Sequence, residues 1–228
     1  MPDGLRLAVV LALIASMIVR NWIEALVADW QGESGPRLYG QTALDPRAHV
    51  DWLGTILLPL LLVLTGSPVL FASPKPLHML YLGVASPYRV LFFVRMSGLV
   101  FHFVLAALLM LFLRPVLEAL APGNPTRDKL ASFLFISALS QLAIGYILLL
   151  PIPPLPGGLL LGWLLPQHWR EHFIYNPKLQ YLGVFVVLVV LVLPPTGKLI
   201  FSAVFKTALL YFHLLQIPAL QLLAILLR

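Results

Sequence analysis

The feature that most constrains this chain is an apolar run, residues 130–167, that carries no charged residue. Inside it, residues 148–158 read Leu-Leu-Leu-Pro-Ile-Pro-Pro-Leu-Pro-Gly-Gly, and we call them the proline-glycine stretch. Proline lacks an amide donor and stops a helix, and glycine allows two backbones to approach closely. Interrupted backbone is tolerated at membrane depth only where it is buried in protein or lines a cavity. We therefore expect two half-segments to meet here and the other spans to pack around them.

The composition predicts a polytopic membrane protein with a single membrane domain over residues 1–228. Of the 228 residues, 60% are hydrophobic and 11% are charged, whereas a soluble domain has roughly 25% charged residues. The absence of cysteine excludes a disulfide framework and a thiolate metal site. We assign the net charge of +6 to loop cations that face anionic lipid headgroups. No basic run indicates a nucleic-acid partner.

Apolar segments long enough to cross a bilayer predict an all-α transmembrane bundle of about six spans. The expected spans are residues 5–30, 52–70, 89–113, 130–150, 180–193 and 198–227. A loop is expected over residues 114–129, a short helix over 157–165 and a polar connection over 167–178. No small-x-small cleavage site follows the first apolar segment, so we interpret it as a retained span rather than a signal peptide. Lys and Arg counts on alternate loops are similar and leave the orientation open.

Four motifs follow one another in the first three quarters of the chain. Residues 25–32 read Ala-Leu-Val-Ala-Asp-Trp-Gln-Gly, and residues 44–55 read Leu-Asp-Pro-Arg-Ala-His-Val-Asp-Trp-Leu-Gly-Thr. Residues 97–102 read Ser-Gly-Leu-Val-Phe-His, and the proline-glycine stretch comes last. Together they resemble the site-2 protease family of intramembrane zinc metalloproteases, in its compact bacterial branch. That family follows a His-Glu-x-x-His helix with Ala-Asp-x-x-Gly, Asn-Pro-x-x-His-x-Asp-Pro-x-Gly-Thr, Ala-Gly-Pro-x-x-Asn and Leu-Pro-Ile-Pro-Pro-Leu-Asp-Gly-Gly.

The likeness covers about residues 6–165, which implies a site-2-protease-like core over residues 1–165 and added C-terminal helices over residues 166–228. The positions of the family's metal ligands are altered. Arg20, Asn21 and Glu24 are matched to the first histidine, the general base and the second histidine of His-Glu-x-x-His. The aspartate of Leu-Asp-Gly is matched to Pro156.

These substitutions remove the chemistry that the family motif supplies. The guanidinium of Arg20 stays protonated and has no acceptor, so it does not ligate a metal, and Asn21 cannot act as a base. Pro156 has no ligating side chain, whereas catalytic zinc takes three protein ligands. We therefore expect no metal and no other cofactor. Spacing alone favours a local i, i+4 ion pair of Arg20 with Glu24.

The resemblance and the lost ligands together predict a catalytically inactive homologue, a pseudoprotease. It would act as a structural or accessory subunit, or as a regulator, through transmembrane contacts in a larger membrane complex. Its expected partners are integral membrane proteins and lipid, in the bacterial inner membrane. Family members are thought to hold a substrate helix unwound beside the active site. The candidate partner-binding residues are accordingly Pro151, Pro153, Pro154, Gly157 and Gly158.

The remaining histidines leave an alternative open, an active intramembrane metalloprotease with a displaced ligand set of Glu24, His49 and His102. Against it, His49 fits a role in its loop and His102 fits a hydrogen bond to a neighbouring helix. His168 and His172 are four residues apart and would share one face if their segment were helical. A small transporter or channel subunit is disfavoured because intramembrane charge is nearly absent.

Overall fold

The computed structural model describes residues 3–64, 72–192 and 194–226, and all secondary structure within these residues is helical. The expected all-α class is therefore confirmed for this part of the chain. The elements are α1 (Asp3–Trp30), α2 (Gly35–Leu38), α3 (Pro46–His49), a π-helical segment (Trp52–Leu57), α4 (Leu58–Leu64), α5 (Pro87–Ala119), α6 (Pro125–Leu148), α7 (Pro156–Leu164), α8 (Gln167–Tyr175), α9 (Pro177–Val192), α10 (Pro194–Leu214) and α11 (Ala219–Leu226).

Three of the described helices are long and apolar enough to cross a membrane. They are α5, α6 and the segment Gly4–Trp30 of α1. Two shorter apolar helical segments, Trp52–Leu62 and Leu199–Leu214, accompany them. These lengths fit an integral membrane protein, and the other three of the six expected spans are not confirmed. Residues 65–71, at the end of the expected second span, lie outside the described residues.

Several prolines begin helices instead of marking loops. Pro46, Pro87 and Pro125 stand in the first turns of α3, α5 and α6, where a missing amide costs no hydrogen bond. The side chain before each proline accepts a bond from a first-turn amide, which caps the helix. The capping pairs are Asp45 with Arg47 N, Ser86 with Arg89 N, and Asn124 with Thr126 N. The loop expected over residues 114–129 is shorter than predicted and spans residues 120–124, because α5 continues to Ala119 and α6 begins at Pro125.

The centre of the molecule is the packing of α1 against α5 and α6. A short turn joins α5 to α6, which makes this pair antiparallel. One apolar cluster lies between α5, α6, α10 and α11, and a second lies between α1, α5 and α6. Leu13, Met17 and Ile144 in the second cluster are almost completely buried. Polar side chains that share this interface are therefore removed from solvent.

The proline-glycine stretch lies where the chain leaves α6 and enters α7. A Cβ at Gly157 would overlap the carbonyl oxygen of Leu149, and one at Gly158 would lie 2.6 Å from the carbonyl carbon of Ile152. The two glycines thus let the first turn of α7 pack directly on the preceding backbone, as their positions predict. On α9, a Cβ at Gly183 would overlap the carbonyl oxygen of Pro153, so this helix covers the same stretch.

The C-terminal third departs from the expected single long final helix. Residues 215–218 separate α10 from α11, with Gln216 at a positive φ of 52°. Buried Arg127 at the start of α6 donates to Gln221 Oε1 at 2.6 Å and fastens α11 to the bundle. The polar connection expected over residues 167–178 contains the helix α8, which ends at Tyr175.

Candidate functional site

A buried ion cluster occupies the position that the resemblance assigns to the metal site. Both Nε and Nη2 of Arg20 lie 2.9 Å from Oε1 of Glu24, and Nη1 of Arg95 lies 3.1 Å from Oε2 of the same carboxylate. The exposed fractions of these side chains are 5% for Arg20, 0% for Glu24 and 30% for Arg95. The i, i+4 pair is confirmed, and a second arginine from the facing helix joins it.

Helical spacing explains why these groups meet. Ser16, Arg20 and Glu24 are four residues apart on α1 and share one face. On α5, Arg95 and Gly98 share the face that is turned to α1. A Cβ at Gly98 would overlap Glu24 Oε1 and lie 2.8 Å from Arg20 Nε, so a larger residue would require the paired side chains or α5 to move.

We predict that Gly98→Ala destabilises the protein by about 1–3 kcal/mol, because the added methyl group forces α5 away from the cluster. The measurement is the free energy of unfolding in mixed micelles. Gly4→Ala is the control, since no atom of the described residues outside its own helix lies within 4 Å of the added Cβ. Equal stability of Gly98→Ala and the unmodified protein would show that the packing around Glu24 is not tight.

Asn21, matched to the general base, is bonded to His49. Its Nδ2 lies 3.3 Å from Nδ1 of His49, and Nε2 of His49 lies 2.8 Å from the carbonyl oxygen of Ala43. The amide nitrogen only donates and the carbonyl only accepts, so Nδ1 accepts while Nε2 carries the hydrogen. Both ring nitrogens are thus occupied. The Asn21–His49 pair joins α3 to α1, and the bond of His49 to Ala43 holds the loop before α3, so His49 has the structural role that the sequence favours.

His102 lies one turn beyond Gly98 and joins α5 to α6. Its Nδ1 lies 2.7 Å from Oε1 of Gln141, whose Nε2 donates to Ser16 Oγ at 2.9 Å. The hydrogen bond expected between His102 and a neighbouring helix is confirmed. Nε2 of His102 is buried and has no partner in the described part of the chain. The interface of α1, α5 and α6 therefore contains the ion cluster and, next to it, the hydrogen bonds that join His102, Gln141 and Ser16.

The residues considered as metal ligands do not come together. Among the described residues, no group of three or more His, Cys, Asp and Glu side chains is placed to hold one ion. Glu24, His49 and His102 each bond to a different set of side chains. Pro156 begins α7, which packs against α5 and α8. The displaced ligand set therefore has no geometric support in the described chain.

His168 and His172 lie on α8, where the helical condition for a shared face is met. His172 Nε2 lies 3.2 Å from Asn176 Nδ2, and no third ligand group accompanies the two histidines within the described chain. A cavity of about 670 Å³ opens beside this helix. Arg170 at its wall donates to the carbonyl of Gly162 and lies 4.8 Å from the ring centre of Tyr88, so this cation supports the end of α7.

Glu33 and Gln41, which the sequence does not single out, hold a loop segment beside the ion cluster through hydrogen bonds. We call these two residues the loop clamp. Fully buried Glu33 accepts from the amides of Gly35 and Leu80 at 2.9 Å and of Tyr81 at 2.6 Å. Gln41 Oε1 accepts from the amide of His78 at 2.9 Å. The clamp binds residues 76–81 across the end of α1. A glutamate within a polar, glycine-rich loop gives no signal that it is buried.

Tyr81 bonds to the loop clamp through its amide and interacts electrostatically with Arg95 of the ion cluster. Its backbone has a positive φ of 56°, a conformation that its bond to Glu33 helps to hold. Burial raises the pKa of Tyr81 to about 12, the charges of Tyr175 and Glu33 add to the rise, and the charge of Arg95 opposes it. The phenol therefore keeps its hydrogen at neutral pH.

The candidate partner-binding residues of the proline-glycine stretch differ in exposure. Pro151 and Pro154 are exposed, whereas Pro153, Gly157 and Gly158 are buried. The chain's own backbone covers the three buried residues, at Leu149, Ile152 and Gly183. Of the five candidates, Pro151 and Pro154 are therefore the two that another molecule can reach without rearrangement of this stretch.

The candidate site consists of the ion cluster and the hydrogen bonds beside it. One carboxylate lies between two guanidinium groups, and a hydrogen-bonded histidine follows one helical turn away. The site residues that the sequence missed are Arg95, Glu33, Gln41 and Tyr81, and of these only Arg95 gave a signal, as a cation in an apolar span. Comparison with known proteins finds no family model that matches the chain, no similar curated protein and no similar solved structure.

Proposed function

We propose that this protein is a catalytically inactive member of the site-2 protease family that acts as a structural or accessory subunit, or as a regulator, in a membrane complex. It would work through transmembrane contacts with other integral membrane proteins. A bacterial inner membrane is the proposed location. In this proposal the protease-like core, residues 1–165, serves as a scaffold.

The observation that carries the proposal is the ion cluster. The two positions matched to zinc-binding histidines are Arg20 and Glu24, and they bond to each other. Arg95 completes the cluster from the facing helix. A metal cation beside two guanidinium groups would meet like charge, and the one carboxylate present is already shared between them. The charges of the site therefore favour ion pairing between α1 and α5 over the binding of a metal cation.

Three further contacts support a scaffold role. Asn21 is engaged by His49, and His102 is engaged by Gln141, which in turn donates to Ser16, so these contacts tie one element to another. Interhelical polar bonds of this kind add specificity to membrane bundles, whose helices are otherwise attracted mainly by close packing. Each of these contacts therefore has a structural role that does not depend on catalysis.

The test combines elemental analysis with isolation from the native membrane. We expect purified protein to hold zinc far below one ion per chain, even after incubation with zinc, and to co-purify with a reproducible set of membrane proteins. Arg20→His with Glu24→His is a useful comparison because it restores both imidazoles of the family motif. Stoichiometric zinc in the unmodified protein, with chelator-sensitive cleavage of a membrane-embedded peptide, would overturn the proposal.

A further inference from the structure

The ion cluster has more positive than negative charge. By formal charge, Arg20 and Arg95 contribute two cations and Glu24 one anion, and no other carboxylate pairs with these arginines among the described residues. A guanidinium group within an apolar helical segment is costly unless it is paired. One positive charge in the cluster is therefore left for an anion that the described chain does not supply.

Arg95 is the arginine that another molecule can reach. Its side chain is 30% exposed, against 5% for Arg20. Only Nη1 is bonded, to Glu24 at 3.1 Å, and within the described chain the other guanidinium hydrogens have no acceptor. A planar guanidinium with one free edge is suited to receive a carboxylate.

The Tyr81 phenol lies within the electrostatic reach of Arg95 and offers a second donor. Its hydroxyl makes no hydrogen bond to any other described residue, while the Tyr81 amide is held by Glu33. With a pKa raised to about 12 by burial, the phenol stays protonated and able to donate. The guanidinium and the phenol O–H are both donors, and a carboxylate has two oxygens that accept.

We propose that Arg95, with Tyr81 beside it, binds an aspartate or glutamate side chain on a transmembrane helix of a partner protein. This inference rests on the proposed function, since it names the chemistry of the partner that the scaffold would hold.

The position of Arg95 favours a helix-borne carboxylate over a lipid phosphate. An arginine near a helix end extends towards the headgroups when a phosphate is its partner. Arg95 instead turns inward to Glu24, which is completely buried. An anion that shares this guanidinium must reach the same depth, about two turns inside α5, which starts at Pro87. A side chain on a membrane-spanning helix can do so.

The test uses synthetic transmembrane peptides and the full-length protein in phosphatidylcholine nanodiscs. Each peptide is a Leu/Ala helix with one Asp, Asn or Leu at one of three depths, and energy transfer reports binding. At the matching depth, we expect the Asp peptide to bind about tenfold more tightly than the Leu peptide. Arg95→Gln should abolish this preference, and Tyr81→Phe should reduce it. Arg89→Gln, an exposed cation on the same helix, should leave the preference unchanged.

Arg95→Gln should fold, because Arg20 still pairs with the Glu24 carboxylate in this variant. A substitution of Glu24 would instead leave both arginines without their anion. Equal affinity for the Asp, Asn and Leu peptides at all depths would overturn the proposal. An Arg95-dependent gain from phosphatidylglycerol in the nanodisc, without any preference for the Asp peptide, would overturn it in favour of a lipid.

Co-purification distinguishes failure of the carboxylate contact from failure of the scaffold function. Native partners that are retained equally by Arg95→Gln and by the unmodified protein would contradict the carboxylate contact but leave the scaffold function intact. A chain that is always isolated alone and still prefers the Asp peptide would contradict the scaffold function and support the contact itself.

Discussion

Glu24→Gln is expected to destabilise the folded protein by about 3–5 kcal/mol, the largest effect of any single substitution considered. The change removes the one anion between Arg20 and Arg95 and leaves two guanidinium groups facing each other inside the bundle. Breaking one side of a buried ion pair costs far more than the pair contributes, because the remaining charge stays desolvated. The measurement is reversible unfolding in mixed micelles, followed by circular dichroism.

The chain supplies a closely matched control for this experiment. Arg114 and Glu118 form another i, i+4 arginine–glutamate pair, on α5, with side chains 42% and 56% exposed. Glu118→Gln should therefore cost less than about 1 kcal/mol. If both variants lose the same small amount, the cluster at Glu24 is solvated in the folded protein and does not determine the packing of α1 on α5.

The second large effect is expected for Glu33→Ala in the loop clamp. Three amides, of Gly35, Leu80 and Tyr81, lose the carboxylate that accepts from them in a fully buried position. Hydrogen bonds to a charged group contribute about 1.5–3 kcal/mol each. The loop can open locally and let water reach the three amides, which limits the loss of stability. We therefore expect the free energy of local opening to fall by about 3 kcal/mol. Hydrogen exchange at the Leu80 and Tyr81 amides should become about a hundredfold faster.

The comparison for Glu33 is Asp45, an exposed carboxylate that caps α3 by accepting from the amide of Arg47 at 3.0 Å. Asp45→Ala should cost about 1 kcal/mol, as for other helix caps, and leave exchange at residues 80–81 unchanged. Unchanged exchange in Glu33→Ala would mean that the segment is held by Gln41 and its other contacts without the carboxylate.

The membrane helices could be predicted from hydropathy and length, because both are local properties of the chain. The expected spans over residues 5–30, 89–113 and 130–150 correspond to α1, α5 and α6. Their ends were less accurate, since prolines at 87 and 125 serve as the first residues of helices with a capping side chain before them. Whether a proline ends one helix or begins the next depends on the backbone around it.

The candidate site was only partly foreseeable. The pairing of Arg20 with Glu24 follows from their spacing on one helix, so the sequence alone predicts it. Arg95 joins them across 71 residues of sequence, and Glu33 reaches amides 47 and 48 residues away. The choice of partner for a buried charge depends on which helix faces pack together, and a single sequence does not encode that in its periodicity.

The sequence by itself determined that this chain is helical, that it has apolar segments long enough to span a membrane, and that Arg20, Asn21 and Pro156 supply no zinc-ligating side chain. These conclusions depend on residue identity, which no packing can alter. The tertiary structure alone decided that Glu24 is shared between two arginines, that Gly98 makes room for them and that one edge of Arg95 stays open. Such contacts form between segments distant in the chain, and only the packing of α1 on α5 brings them within bonding distance.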